Sequence, residues 1–270
     1  MTSIKDFAGR PGVYLGGDGS HIEGNIISGG LNSGLTVDSV SYLVIRGNQI
    51  YGLQASQPCM QLKGLTDSVV EGNRITDNES AQGVFLQNGT KSSTVCARVI
   101  VCANVIERLS NEGIIVIDGD SLTIKNNVAS SCGGHAGIDL RGVSNSTVEG
   151  NVCNGNAAAG IELENNSSTG CTSIRVIGNT CRQDGSGVNV TSGASYIQAN
   201  GIPESGNSDY NNFELNECDS NSSAQLTLVG THSAARNNIL SGSALPPSVT
   251  TPSVPASLNE SGSPDSSYVS

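Results

Sequence analysis

A six-residue phrase recurs along most of this chain, with spacings that centre on the low twenties of residues. Each copy has an aliphatic residue, any residue, Gly or another small residue, Asn, any residue and a second apolar residue, as in Ile22–Ile27. Repeats of this length are typical of solenoids, in which every repeat forms one coil. The Asn residues that mark the copies are Asn25, Asn48, Asn73, Asn104, Asn127, Asn151, Asn179, Asn216 and Asn238, with a further candidate at Asn200.

A second phrase, Gly-aliphatic-any-aliphatic, lies between the Asn phrases. Alternating apolar and variable positions predict short strands with one buried face. Such strands cannot bury that face alone and become stable when coil stacks on coil. The sequence therefore predicts an all-β solenoid of about nine to ten coils over residues 1–240. The copies of the second phrase begin at Gly12, Gly34, Gly83, Gly113, Gly137, Gly160 and Gly187, with divergent copies at Cys59–Leu62 and Gln225–Leu228.

The two phrases together resemble the single-stranded right-handed parallel β-helix of the pectin-lyase-like superfamily over roughly residues 10–240. That superfamily includes pectate and other polysaccharide lyases, galacturonases, alginate C5-epimerases, phage tailspikes and purely structural fibres. The Asp-Pro-His run of the epimerases is absent from this sequence, as is the aspartate-rich calcium cluster of pectate lyases. The resemblance thus implies a fold and a preference for polysaccharide, and it leaves the activity open.

The charge balance argues against two classes of partner. The chain carries a net charge of −11 with only 13 Lys and Arg residues, whereas phosphate binding requires clustered cations. No apolar run approaches the length needed to span a bilayer, and Met1–Asp6 does not begin a signal peptide. We therefore expect neither nucleic acid nor a membrane as a partner.

The end of the chain, residues 241–270, is rich in Pro, Ser and Thr. Such a composition predicts an extended segment. It is either a linker or a strap that runs along the rod or across to a neighbouring subunit.

The repeated Asn and most of the eight cysteines are predicted to be scaffold. Asn tolerates left-handed backbone angles at a tight turn, and stacked Asn side chains can hydrogen-bond along a ladder. Cys153, Cys181 and Cys218 occupy the second apolar position of the Asn phrase, where they should pack inside as small hydrophobic residues. No Cys-x-x-Cys pair is present, so we expect mostly reduced thiols, no metal site and no cofactor.

Outward positions of the second-phrase strands are where we look for function. Asp139 and Glu162 should be neighbours about 5 Å apart on adjacent coils, with Arg141 beside Glu164. Like charges so placed raise the pKa of one carboxyl group, as an acid/base pair requires. We therefore predict Asp139 and Glu162 as the catalytic pair. A surface salt-bridge network and a glycan or cation site remain alternatives.

The same face should carry a contact surface. Phe85, Ile115 and Ile117 are expected to form an exposed apolar patch on successive coils. Three insertions leave the same corner and should wall one side of the face; they run from Gln87 to Ala103, Glu164 to Gly178 and Thr191 to Leu215. The residues predicted to bind substrate here are Arg141, Glu164, Phe85, Gln87, Lys63 and His135.

We expect an extracellular or virion-surface β-helix that binds polysaccharide in the manner of a tailspike shaft. If it is an enzyme, hydrolysis or lyase chemistry by Asp139 and Glu162 is the expected activity. The alternatives are a non-catalytic structural fibre or adhesion module, and a polysaccharide lyase or C5-epimerase-like enzyme. The first coil starts almost at once, without an obvious capping helix, although solenoids need capped ends. This feature, the apolar patch and the tail favour a homotrimer.

Overall fold

Three parallel sheets, A, B and C, form the molecule, and each coil of the chain adds one strand to each sheet. The computed structural model describes residues 2–54, 56–78, 82–90, 94–134, 136–166, 169–182, 197–199, 210–220, 226–228, 234–241 and 260–261. This described part of the chain is built from strands and turns, and it contains no helix long and apolar enough to cross a membrane. The predicted all-β solenoid is confirmed.

The strands are short and pair in parallel with their counterparts one coil away. Sheet A consists of Ser3–Lys5, Ile26–Ser28, Gln49–Tyr51, Arg74–Asn78, Val105–Leu109, Val128–Cys132, Val152–Asn154, Thr180–Arg182, Glu217–Asp219, Ile239–Ser241 and Glu260–Ser261. Sheet B consists of Val13–Leu15, Leu35–Asp38, Met60–Lys63, Val84–Gln87, Ile114–Ile117, Ile138–Arg141, Ile161–Glu164, Ile197–Ala199 and Leu226–Leu228. Sheet C consists of His21–Glu23, Val44–Arg46, Val69–Glu71, Ile100–Cys102, Thr123–Lys125, Thr147–Glu149, Arg175–Ile177, Asn212–Glu214 and Ala234–Arg236.

The chain passes from sheet B to sheet C to sheet A in every coil. Sheets B and C each contain nine strands, so about eight turns separate the first strand from the last, slightly fewer than predicted. The strand that pairs with Ile161–Glu164 is Ile197–Ala199. The copy expected at Gly187–Val190 and the candidate Asn200 lie outside the described residues, as does the tail apart from Ser241 and Glu260–Ser261.

The interior is one continuous column of aliphatic and sulfur-containing side chains. On sheet A the column runs through fully buried isoleucines and then through Cys153, Cys181 and Cys218, which lie in register on neighbouring strands. None of the eight cysteines, all of which lie among the described residues, forms a disulfide, and only Cys102, on the outer face of sheet C, is half-buried. Cysteines thus occupy interior positions that aliphatic residues occupy in other coils, as the sequence predicts.

A ladder of buried Asn residues joins the coils at the turn between sheets C and A. The Asn127 amide nitrogen Nδ2 donates to the Val101 carbonyl and to Asn151 Oδ1, both at 3.0 Å. Its Oδ1 accepts from the backbone N and from Nδ2 of Asn104, both at 3.0 Å. The predicted ladder is confirmed. However, the left-handed backbone angle belongs to the preceding residue, for example Asn126 with φ 54°, and not to the ladder Asn.

Candidate functional site

Outward positions of sheet B are more buried than the sequence predicts. Asp139 has no exposed surface, Ile115 keeps 2 % and Glu162 keeps 8 %. The prediction of an exposed apolar patch is therefore wrong at Ile115, while Phe85 and Ile117 are half-buried. Ile115 faces away from the interior column, so its burial comes from groups on the outer face.

Arg141 and three carboxyl groups meet on this face as the repeat predicts. Asp139 is paired in register with Glu162, and Arg141 with Glu164, on the neighbouring strands Ile138–Arg141 and Ile161–Glu164. Arg141 Nη2 donates to Asp139 Oδ2 at 2.5 Å, and Nε donates to the same oxygen at 2.9 Å. Nε also lies 3.3 Å from Glu164 Oε2. Arg141 thus forms ion pairs with Asp139 and Glu164, as the salt-bridge alternative predicts, but the Asp139 carboxyl group is fully buried.

A further carboxyl group, Glu112, completes the network and was missed in the sequence. Its side chain is 3 % exposed, and Oε1 lies 3.2 Å from Arg141 Nη2. Asp139 is paired with Ile115 and Arg141 with Ile117. A guanidinium that contacts both Asp139 and Glu112 therefore lies across Ile115, which explains why Ile115 is buried. The acid cluster is the set Glu112, Asp139, Arg141, Glu162 and Glu164.

Burial and mutual repulsion hold protons on the acid cluster. Burial raises the pKa of Asp139 to about 6, against the opposing hydrogen bonds and charge of Arg141. Burial, followed by the nearby charges of Glu164 and Asp139 and a hydrogen bond with Glu164, raises the pKa of Glu162 to about 8. A hydrogen bond between two carboxyl groups needs a proton on one of them. Glu162 is therefore the group that carries a proton at neutral pH.

Among the described residues, two carboxylate oxygens of the acid cluster are buried and have no hydrogen-bond partner. They are Asp139 Oδ1 and Glu112 Oε2. Because buried polar atoms are nearly always satisfied in folded proteins, these two oxygens mark an electrostatically unfavourable site. Unfavourable groups of this kind cluster at functional sites.

Polar side chains also link the loops that leave the end of sheet B. Asn166 Nδ2 donates to both carboxylate oxygens of Asp118 at 2.7 Å, although the two residues are two coils apart. Asn88 donates to Asp118 from the coil before it at 3.2 Å. Between them, Gly142 has φ 64°, and a Cβ there would lie 2.9 Å from Asp118 Oδ1. These bonds join early residues of two of the three predicted insertions, and the third insertion lies largely outside the described residues. The wall itself stays a prediction.

The remaining predicted binding residues line up beside the acid cluster, with one exception. Gln87 is paired in register with Lys63, and Phe85 with Ile115, on neighbouring strands. The half-buried side chains on successive strands form a strip roughly 20 Å long, here called the sheet B strip. It consists of Lys63, Gln87, Ile117, Arg141 and Glu164. The exception, His135, lies outside the described residues.

Lys63 is balanced by a neighbouring carboxylate. Asp38 lies beside it in register and also accepts hydrogen bonds from Ser39 Oγ at 2.9 Å and from the Thr90 backbone N at 3.1 Å. Burial opposes ionisation, yet these hydrogen bonds lower the pKa of Asp38. Across the described ranges, no group of three or more His, Cys, Asp and Glu side chains could hold a metal ion.

Solved structures with this fold come from several kinds of protein. An alginate lyase from Paenibacillus sp. str. FPU-7 matches with a TM-score of 0.63 and 16 % identity, over 94 % of this chain and 99 % of that chain. The A-module of a mannuronan C-5 epimerase from Azotobacter vinelandii matches with a TM-score of 0.59 and 15 % identity, over 91 % and 58 %. The tailspike of E. coli bacteriophage HK620, in complex with a pentasaccharide, matches with a TM-score of 0.59 and 11 % identity, over 88 % and 46 %.

At these identities the likeness establishes the fold alone. This chain spans about half the length of the epimerase module and of the tailspike. No curated protein matches it in sequence.

A family model assigns the chain directly. The model, described as right handed beta helix region, matches residues 2–98 and 91–202. These segments cover well over half of the chain and most of the described coils. They agree with the three parallel sheets and with the pectin-lyase-like resemblance of the repeat. The chain belongs to the right-handed β-helix family.

Proposed function

We propose that this protein binds a polysaccharide along the sheet B strip and that Glu162 donates a proton to a glycosidic oxygen. The observation that carries the proposal is the in-register pair of Asp139 and Glu162 with raised pKa values on an outer face. A carboxyl group that keeps its proton at neutral pH is what general acid catalysis of glycoside cleavage needs.

The acid cluster gives its members different roles in this proposal. Glu162 retains 8 % exposure and holds the proton. Glu164, whose side chain is 31 % exposed, lies beside it and is the second carboxylate within reach of a bound sugar. Asp139 is a positioning residue, because it is fully buried, holds Arg141 and keeps the proton on Glu162 by its charge.

The sheet B strip suits an extended polymer. Its half-buried side chains repeat from strand to strand with a spacing of about 4.8 Å, so a chain of sugars lying along the rod meets one after another. The loops linked through Asp118 bound the strip on one side. The alginate lyase, the epimerase and the oligosaccharide-bound tailspike support a glycan as the ligand class.

The test is to incubate the purified chain with a panel of neutral and acidic polysaccharides and to measure both binding and products. Glu162→Gln should leave binding in place and reduce cleavage by about 10²–10⁴-fold. Glu149→Gln is the matched control, since Glu149 is an exposed glutamate on the outer face of sheet C, and it should change neither quantity.

Each other outcome has a definite meaning. Binding without products indicates a non-catalytic adhesion module or fibre, and unsaturated products indicate a lyase. Changed uronate stereochemistry without scission indicates an epimerase-like enzyme. Failure to bind any polysaccharide overturns the proposal.

We also propose that the protein acts outside the cell or on a virion, as the resemblance of its repeat to tailspike shafts implies, and that it assembles as a homotrimer. Burial of Ile115 removes one reason for the trimer, so the assembly needs its own measurement. Light scattering should give three times the 27.5 kDa chain mass, and a monomer would remove the trimer from the proposal.

A further inference from the structure

The acid cluster has more negative than positive groups. Four carboxyl groups surround Arg141, and within the described residues every ion pair of the cluster is made by this one guanidinium. With Glu162 protonated, three acidic groups still face one cation. Asp118 adds another carboxylate at the adjoining edge, one residue after the strand Ile114–Ile117.

The other cation of the sheet B strip does not offset this excess. Lys63 lies at the far end of the strip, where Asp38 is its neighbour in register. Asp38 is 7 % exposed and already accepts hydrogen bonds from Thr90 and Ser39, so it is held as a carboxylate. The pair therefore adds no net positive charge. The strip is neutral at the Lys63 end and negative at the acid cluster.

Hydrogen bonding does not neutralise the cluster either. Within the described residues, Asp139 Oδ1 and Glu112 Oε2 are buried and have no hydrogen-bond partner, so the only cation that contacts these two carboxyl groups is the shared Arg141, through their other oxygens. A negatively charged group on a ligand beside this partly buried cluster is repelled more strongly than it would be in water, because the effective dielectric constant there is lower.

We infer that the polysaccharide bound by the sheet B strip is a neutral one and not a polyuronate, since a uronate placed at the acid cluster would set its carboxylates against Glu164 and the groups behind it. This inference rests on the proposed function and names its substrate class. It separates this chain from the alginate lyase and the mannuronan epimerase that share its fold, because alginate and mannuronan are polymers of uronic acids.

The experiment compares polymers that differ only in charge. Glucans, mannans and galactans are each tested beside a derivative oxidised at C6 to the uronate, together with alginate, and affinity is measured at low and high salt. Two like charges about 5 Å apart in water reduce affinity by roughly fourfold. For several such contacts, we expect each neutral polymer that binds to do so about tenfold more tightly than its oxidised derivative. This difference is expected at about 10 mM salt, where the screening length is about 30 Å. The gap should close at about 1 M salt, where that length is about 3 Å.

A substitution in the acid cluster tests whether the cluster causes the preference for neutral polymers. Glu164→Gln removes the most exposed carboxylate of the acid cluster and should narrow the neutral-to-uronate affinity ratio by about fourfold. Glu149→Gln on sheet C should leave the ratio unchanged. Equal affinities at low salt, or tighter binding of a uronate polymer, overturn the inference and leave the proposed function standing. No binding of any polymer at either salt overturns the proposed function itself.

Discussion

The outer faces of sheets B and C have the same backbone geometry, but the ion pairs of sheet C are exposed and those of sheet B involve buried carboxyl groups. On sheet C, Arg46 pairs with Glu23 at 3.0 Å and Arg236 with Glu214 at 2.5 Å, and both arginines are about half exposed. On sheet B, the Arg141 side chain is 26 % exposed and forms ion pairs with Asp139 and Glu112, whose side chains are almost fully buried.

The difference shows what a repeat does and does not specify. Stacking places outward residues above one another on both faces, and opposite charges at such positions contribute only about 0.2–1 kcal/mol. Sheet C has this ordinary structural pattern. Sheet B instead buries carboxyl groups at a cost in free energy, and a cost of that kind is typical of a functional site.

Replacing one arginine on each face, Arg141 on sheet B and Arg46 on sheet C, should give the largest difference in the free energy of unfolding. Arg141→Met keeps much of the stem packing but leaves Asp139 and Glu112 as unpaired buried acids, so we expect a loss of about 3–5 kcal/mol in the free energy of unfolding. Arg46→Met on sheet C removes an exposed pair and should stay close to wild type. Urea unfolding of both variants makes the comparison. Equal losses would show that the two faces do not differ.

The second-largest expected difference between the outer faces of sheets B and C is in how they make stability depend on pH. The folded-state pKa values of Asp139 and Glu162, about 6 and about 8, lie above their ordinary values of 3.8 and 4.5. Such groups stabilise the fold fully below the ordinary pKa, and this contribution is lost as pH rises through the folded pKa. For Asp139 the loss is on the order of 3 kcal/mol.

Unfolding free energies measured between about pH 5 and pH 9 test this window. Glu162→Gln mimics the protonated acid and should remove the fall in stability through about pH 8. Glu23 on sheet C has a lowered pKa, owing mainly to its hydrogen bond with His21. Glu23→Gln should therefore leave the slope in this range unchanged. A wild-type curve without any fall would contradict the raised pKa values.

The sequence predicts register well because the Asn phrase marks the same point in each coil, whatever the length of the coil. The pairing of Asp139 with Glu162 follows from that register alone and is observed. Periodicity aligns the outward residues, but it does not predict which contacts a long side chain such as Arg141 makes across the outer face. Burial of Asp139 and Ile115 was missed for this reason. Glu112 did leave a signal: it directly precedes Gly113, where neighbouring coils have Gln82 and Ala136.

A smaller effect is expected from the ladder that supports both faces. Asn127→Ala removes the acceptor of the Asn104 backbone N and Nδ2 and the side-chain donor to the Val101 carbonyl, while Asn104 Nδ2 keeps its hydrogen bond to the Val70 carbonyl. We expect a loss of about 2 kcal/mol in the free energy of unfolding. The matched control is Gln49→Ala, which truncates an exposed amide on sheet A. Thermal unfolding distinguishes them, and an Asn127→Ala midpoint at the wild-type value would exclude a structural role for the ladder.

The smallest expected effect on stability is that of replacing Cys102. The reactivity of its thiol also measures directly how accessible the outer face of sheet C is to solvent. Cys102 lies outward on sheet C between Glu71 and Lys125, and Cys102→Ser should change the free energy of unfolding by less than about 0.5 kcal/mol. Partial burial and the charge of Glu71 raise the pKa of the Cys102 thiol. We therefore expect slow modification of the native protein by a thiol reagent at about pH 9, read by mass spectrometry.

The same probe can be placed on sheet B. Ile115→Cys in the Cys102→Ser background puts a thiol at the outward position that Arg141 covers, and we expect it to remain unmodified in the native state. The denatured protein, in which every thiol should react, is the control for reagent and time. If the introduced thiol reacted as fast as Cys102 does in the wild type, the guanidinium would not lie across this face. The acid cluster would then be solvated, its carboxyl groups would lose the cause of their raised pKa values, and the reason to place chemistry on sheet B would be lost with them.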